Sequence, residues 1–134
     1  KKPLRSKRGG QITAWAYTRL GDPYSQSKRG TSNYTDCSYL TMWCYRHAGI
    51  TIPGTAAEQG RYLVENNLTI AKEDLQLGDL VFWSYKPNGR FMNITHVGVY
   101  AGDGMVVDAS YSKGKVVYRN LFDSDKQVLY GRPQ

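Results

Sequence analysis

The chain has 134 residues, 40% of them hydrophobic and 22% charged, ordinary proportions for one globular domain able to bury its own core. Its net charge of +7 is uneven: Lys1, Lys2, Arg5, Lys7 and Arg8 supply five positive charges, and beyond them 13 basic side chains face 11 acidic ones. A basic stripe across the fold is therefore not supported, which argues against nucleic-acid recognition, and no apolar run approaches the roughly 20 residues that cross a bilayer.

Residues 1–10 have linker composition and read as a basic tail, solvated or attracted to an anionic polymer such as nucleic acid, membrane lipid or wall teichoic acid. The chain opens on Lys1 without a Met, so it reads as part of a longer protein, with one domain expected over 11–134. From Gln11 to Leu20, the residues Ile12, Trp15, Ala16 and Leu20 recur at helical spacing, with Gly21 just past the end. A polar loop over 25–35 leads to a second helix. Asp36 is its N-cap, Cys37 lies in its first turn, and Gly49 suits a left-handed residue at its end. Thr55 and Glu58 have the spacing of a capping box and open a third helix, running to about Glu65 and closed by Asn66 and Asn67.

From Leu75 the hydrophobic period changes from helix to strand. Asp79–Trp83, Ile94–Tyr100, Met105–Ala109 and Lys115–Arg119 read as strands, and Gln127–Tyr130 as a further edge strand. Helices first and an antiparallel sheet second make an α+β domain, its N-terminal helices packed on a sheet of five to six strands.

The start of the second helix is the chemically distinctive point. Backbone N–H groups and the positive end of the helix dipole favour a thiolate there, so Cys37 is a candidate nucleophile. Cys44 follows seven residues later on the same helix, roughly 10 Å away, too far for a disulfide. A base must come from His47 or His96, the two histidines of the chain. His47 is ten residues along the Cys37 helix, about 15 Å away, and suits instead a cation in the last turn. His96 lies within a strand. If Gly102-Asp103-Gly104 is a three-residue loop, then Gly98 faces Asp108, and His96, Gly98 and Asp108 share one face of the sheet. A two-residue Asp103-Gly104 loop would put His96 and Asp108 on opposite faces. With the first register the constellation is Cys37 as nucleophile, His96 as base and Asp108 orienting the imidazole. The Cys37 N–H and the Tyr24 hydroxyl are the candidate oxyanion donors.

Five ordered blocks resemble the NlpC/P60 family of bacterial cysteine peptidases. Leu20-Gly21-Asp22-Pro23-Tyr24 resembles its L-G-x-P-Y segment, and Asp36-Cys37-Ser38-Tyr39-Leu40 its D-C-S-G-L nucleophile motif. Ala48–Pro53 with Gln59 downstream, Leu75–Trp83 and Thr95–Gly104 resemble three further blocks. The resemblance implies a papain-like fold, a Cys–His pair at Cys37 and His96, and a third polar residue at Asp108, where the family more often has His. It also implies an oxyanion role for Tyr24, a substrate-amine role for Asp36, and a place beside the substrate for Ser38 and Tyr39. The implied partner is the peptide stem of peptidoglycan, cut at an amide, most plausibly between D-Glu and the diamino acid. No cofactor, no metal and a monomer are expected, in a secreted or wall-associated protein.

Two departures from the family pattern stand out. Tyr39 replaces glycine, which would bring a bulky ring close to the nucleophile. The aromatic-Gly-Gly run expected after Tyr24 is replaced by Ser25-Gln26-Ser27-Lys28-Arg29-Gly30. The rival readings are a related amidase, acyltransferase or toxin on the same Cys–His site, and a wall-binding module without turnover. A zinc site from Cys37, Cys44 and His47 is a remote third, since no fourth ligand is evident.

Overall fold

The computed structural model describes residues 8–134. Three helices come first, α1 (Gly9–Thr18), α2 (Cys37–His47) and α3 (Ala56–Glu65). Five strands follow, β1 (Leu80–Trp83), β2 (His96–Gly102), β3 (Met105–Ser110), β4 (Lys115–Asn120) and β5 (Gln127–Gly131). They form one antiparallel sheet in the order β4-β3-β2-β1-β5, so β5 is the expected edge strand and the sheet has five strands.

Alternation along the strands separates two faces. Leu80, Phe82, Val97, Val99, Val107 and Ala109 join the helices' Ile12, Ala16, Leu40, Cys44 and Leu63 in the main core. Val81, Trp83 and Val106 form a smaller cluster on the other face, with Tyr100, Leu121 and Phe122 against it. His96, Gly98 and Asp108 have the parity of that second face.

Helix α1 begins inside the stretch expected as a tail over residues 1–10. Residues 1–7 lie outside the described residues, but Gly9 and Gly10 belong to α1. The Ile12 N–H bonds the Arg8 carbonyl at 3.0 Å and the Thr13 hydroxyl bonds that of Gly9 at 2.8 Å, so the helix starts at Gly9, two residues before the expected Gln11. It also ends earlier, at Thr18, which leaves Leu20 outside the helix and 41% exposed.

The hairpin between β2 and β3 differs from the expected three-residue loop. Its turn is Asp103-Gly104, both at left-handed φ (52° and 74°), the tight turn whose twist matches a hairpin. Alone, that turn would separate His96 from Asp108. A bulge at Ala101 adds one residue to β2 and shifts the register back, so that Tyr100 faces Val106 and Val99 faces Val107. Gly98 is needed at the crossing: a Cβ there would come within 2.8 Å of Val106 and 3.1 Å of the Asp108 Cβ.

Gln59 of α3, fully buried, fixes the start of α2. Its side-chain N–H donates to the carbonyls of Ser38 (3.0 Å) and Pro53 (2.8 Å), and its Oε1 accepts from the Thr41 hydroxyl at 2.7 Å. Replacement by Ala strands these buried groups. Gln59→Ala is expected to lose at least about 2 kcal/mol of stability, read from the urea midpoint, whereas an exposed polar contact would move it little.

Candidate active site

Cys37 is the first residue of α2. The Asp36 side chain accepts the Tyr39 N–H at 2.9 Å, the N-cap bond expected from its position. The first N–H groups of a helix have no carbonyl a turn earlier to bond, and the dipole adds positive potential at the sulfur. His96 opens β2, so imidazole and thiol come to one cleft from the ends of their elements, beside rather than inside the main core.

The imidazole is held by Asp108. Its Nε2 donates to Asp108 Oδ2 at 2.8 Å, which leaves Nδ1 as the nitrogen available to Cys37, which lines the same cleft. Burial disfavours the His96 cation. Hydrogen bonds to Asp108 and Cys37, reinforced by their negative charge, outweigh burial and push its pKa up to about 9.

Asp108 is completely buried and has a second partner that the sequence did not announce. Arg119 of β4 donates Nε to Oδ1 at 3.0 Å and Nη2 to Oδ2 at 2.6 Å. Burial would raise the Asp108 pKa, but the bonds from His96 and Arg119 hold it below the ordinary carboxylate range. Arg119 is itself placed by Phe122, whose ring centroid lies 3.8 Å from the guanidinium carbon. Phe122 in turn stacks on Trp83 at 4.5 Å, and Trp83 lies 5.3 Å from the His96 ring. Arg119 could have been found only from the β3–β4 register. It pairs with Val106, which puts it diagonal to Asp108 on the same face.

The cleft runs to both sides of Cys37. One half encloses about 440 Å³ and is walled by Tyr24, Tyr85, Tyr111, His96, Arg119 and Phe122. The other encloses about 300 Å³ and carries Arg29, Asp36, Lys86 and Arg90. Tyr24 has its pKa pushed up to about 12, first by burial and then by the charges of Cys37 and Asp36, so its hydroxyl stays a neutral donor. Ser38 is buried, its hydroxyl accepting from Arg29 Nη1 at 3.0 Å. Tyr39, expected to crowd the nucleophile, lines neither half. Its ring turns to Gly30 and its hydroxyl accepts from Arg46 at 3.5 Å.

The residues that the cleft does not recruit are also informative. Cys44 is wholly buried, and burial pushes its pKa up to about 12, which fits an inert core thiol. His47 is exposed at the end of α2, its ring 4.1 Å from that of Trp43 and 4.6 Å from that of Trp15. Cys37, Cys44 and His47 thus lie in three different environments.

A thiol at a helix start, an imidazole at a strand start and a buried carboxylate behind it, on three helices and an antiparallel sheet, define the papain-like class of domains. The model of the NlpC/P60 family matches residues 21–130. The chain is 36% identical over 115 residues to the bifunctional muramidase/DL-endopeptidase CwlT of Bacillus subtilis, covering 84% of this chain and 32% of that protein. NlpC1 of Trichomonas vaginalis superposes with a TM-score of 0.82 at 25% identity, over 99% of this chain and 46% of that one. The NlpC/p60 domain of the peptidoglycan hydrolase SagA superposes with a TM-score of 0.71 at 26% identity, over 92% and 97%. The chain belongs to the NlpC/P60 family. It spans less than half the length of the curated relatives it matches.

His96's own contribution to stability has a definite sign. A pKa raised from 6.5 to about 9 gives stability that is complete below pH 6.5 and is lost as pH rises through 9. By NMR, the His96 ring is expected to titrate near pH 9 and to move toward lower pH in Asp108→Asn. An unmoved midpoint would remove Asp108 as the source of the shift.

Proposed function

We propose that the chain is the catalytic domain of a cell-wall hydrolase that cuts an amide in the peptidoglycan stem peptide, between D-Glu and the diamino acid. The single observation that carries the reading is the Cys37–His96–Asp108 line inside an open cleft. Family membership supports it, as do relatives whose names describe a DL-endopeptidase and a peptidoglycan hydrolase. A substrate of this kind implies work at the cell wall, outside the membrane.

The reaction follows from the placement of charge. The imidazolium at His96 favours a thiolate at Cys37, and the sulfur attacks the amide carbon to form a C–S bond. The carbonyl oxygen becomes an oxyanion, which the Cys37 N–H and the neutral Tyr24 hydroxyl can stabilise. His96 gives its proton to the departing amine as the C–N bond breaks, leaving a thioester. A water then loses a proton to His96 and attacks the thioester, and breaking of the C–S bond releases the carboxylic acid and restores the thiolate–imidazolium pair. Asp108 supports the cationic ring throughout without taking its proton. Arg119, by binding Asp108, keeps the carboxylate fixed in charge and direction.

The test is mass spectrometry of purified peptidoglycan after digestion. New amine termini are expected at the diamino acid, and Cys37→Ala should release them more than about a thousandfold more slowly. Equal release by the variant, or no new termini, would sink the proposal. The binding-module reading would predict retention on peptidoglycan with no new ends. The oxyanion role has its own test, since Tyr24→Phe should lower kcat by about a hundredfold with KM changed little. The alkaline limb of kcat should fall near the His96 midpoint of about 9.

A further inference from the structure

The two halves of the cleft differ in character. One carries Tyr24, Tyr85, Tyr111 and Phe122 together with Arg119 and Asp123, whereas the other carries Arg29, Arg90 and a single acid, Asp36; Lys86 borders both. That acid is already paired. Arg29 Nη1 lies 3.0 and 3.1 Å from its two oxygens, the Tyr39 N–H lies 2.9 Å from Oδ1, and the Ser38 hydroxyl lies 3.5 Å from Oδ1. Its side chain is only 9% exposed. A substrate ammonium would meet a carboxylate whose charge Arg29 already balances.

Arg29 is not a chance visitor to this site. Its Nη1 also donates to the Ser38 hydroxyl at 3.0 Å and its Nη2 to the Gly54 carbonyl at 2.7 Å, which ties the 25–35 loop to the chain before α3. Tyr39 completes the arrangement from α2. Gly30 has a left-handed φ of 82°, and a Cβ there would approach the Tyr39 ring to 3.1 Å, so ring and loop backbone are in close contact. The Arg29 guanidinium lies 5.5 Å from the same ring. Tyr39 and the Arg29-Gly30 segment, two of the places where the sequence leaves its family pattern, are thus one structural unit. What the unit does is neutralise Asp36.

Lys86 and Arg90 are exposed on the opposite wall, and neither makes an ion pair among the described residues. With Asp36 cancelled by Arg29, they leave this half of the cleft positive, beside Cys37. We propose that the half-cleft carrying Lys86 and Arg90 binds a carboxylate of the substrate, and that it discriminates against a free ammonium. The proposal deepens the peptidase reading and rests on it for the identity of the substrate. A stem peptide offers two sources of the carboxylate, the α-carboxylate of D-Glu and the C-terminus of the peptide.

The test separates binding from turnover. Synthetic stem peptides would be titrated against Cys37→Ala by calorimetry in four forms: unmodified, amidated at the D-Glu α-carboxylate, amidated at the C-terminus, and acetylated at the N-terminus. Amidation of one of the two carboxylates is expected to raise Kd roughly three- to tenfold, and the position that responds names the source. Added Lys86→Gln and Arg90→Gln substitutions should abolish that difference, as should raised salt in part. Acetylation should leave Kd unchanged or lower it. Indifference to both amidations, or several-fold tighter binding of the free amine than of the acetylated peptide, would overturn the carboxylate site. Wild-type protein that discriminates carboxylates but cuts none of the peptides would instead sink the peptidase reading and leave the subsite standing.

Discussion

A buried carboxylate is the point on which the cleft side of this domain depends. Asp108 has no solvent, and an isolated ionised carboxylate in such a place would be protonated rather than charged. Two cationic partners reverse that preference, His96 through one bond and Arg119 through two. The arrangement links three strands: β2 supplies the imidazole, β3 the carboxylate and β4 the guanidinium. Loss of one partner from such a buried group costs about 3–5 kcal/mol, far more than an exposed pair is worth. The sheet and the base are therefore stabilised by the same contact. A protonated His96 binds Asp108 more strongly than a neutral one, so the cationic ring is the state the fold prefers.

The nucleophile's helix was legible in the sequence because its signals are local. Asp36 before an apolar run, Cys37 after it and Gly49 beyond it each act within a turn of their neighbours. Thr55 and Glu58 announced α3 in the same way. The pairing of His96 with Asp108 was legible in outcome but not in route. Two features of opposite effect, a two-residue turn and a bulge at Ala101, cancel to the parity of a three-residue loop. A turn type can be inferred from Asp-Gly, whereas a bulge depends on packing across the sheet. Arg119 was not legible at all, since its link to Asp108 exists only through the β3–β4 register. The intervening Tyr111-Ser112-Lys113-Gly114 does not fix that register by composition.

Tyr39 illustrates a different limit. Position along the chain placed it two residues from the sulfur, and proximity in sequence suggested proximity in the cleft. On a helix, however, residues two apart point in directions some 200° apart. The ring therefore leaves the side of α2 that carries the Cys37 sulfur and meets Gly30 instead. A substitution that looked like an obstruction beside the nucleophile is a prop for the loop that brings in Arg29.

That prop also bears on Asp36. Asp36 is required where it is, because its side chain caps the helix that starts at Cys37. A buried acid also needs a cationic partner, and a partner that occupied every acceptor position would take the cap away. Arg29 meets both demands, since its Nη1 lies within hydrogen-bond reach of both carboxylate oxygens while Oδ1 still accepts the Tyr39 N–H. The geometric function of Asp36 is kept and its charge is paired. Tyr39, on the helix being capped, and the Arg29-Gly30 segment, which pairs the cap, therefore support the same helix start from two sides.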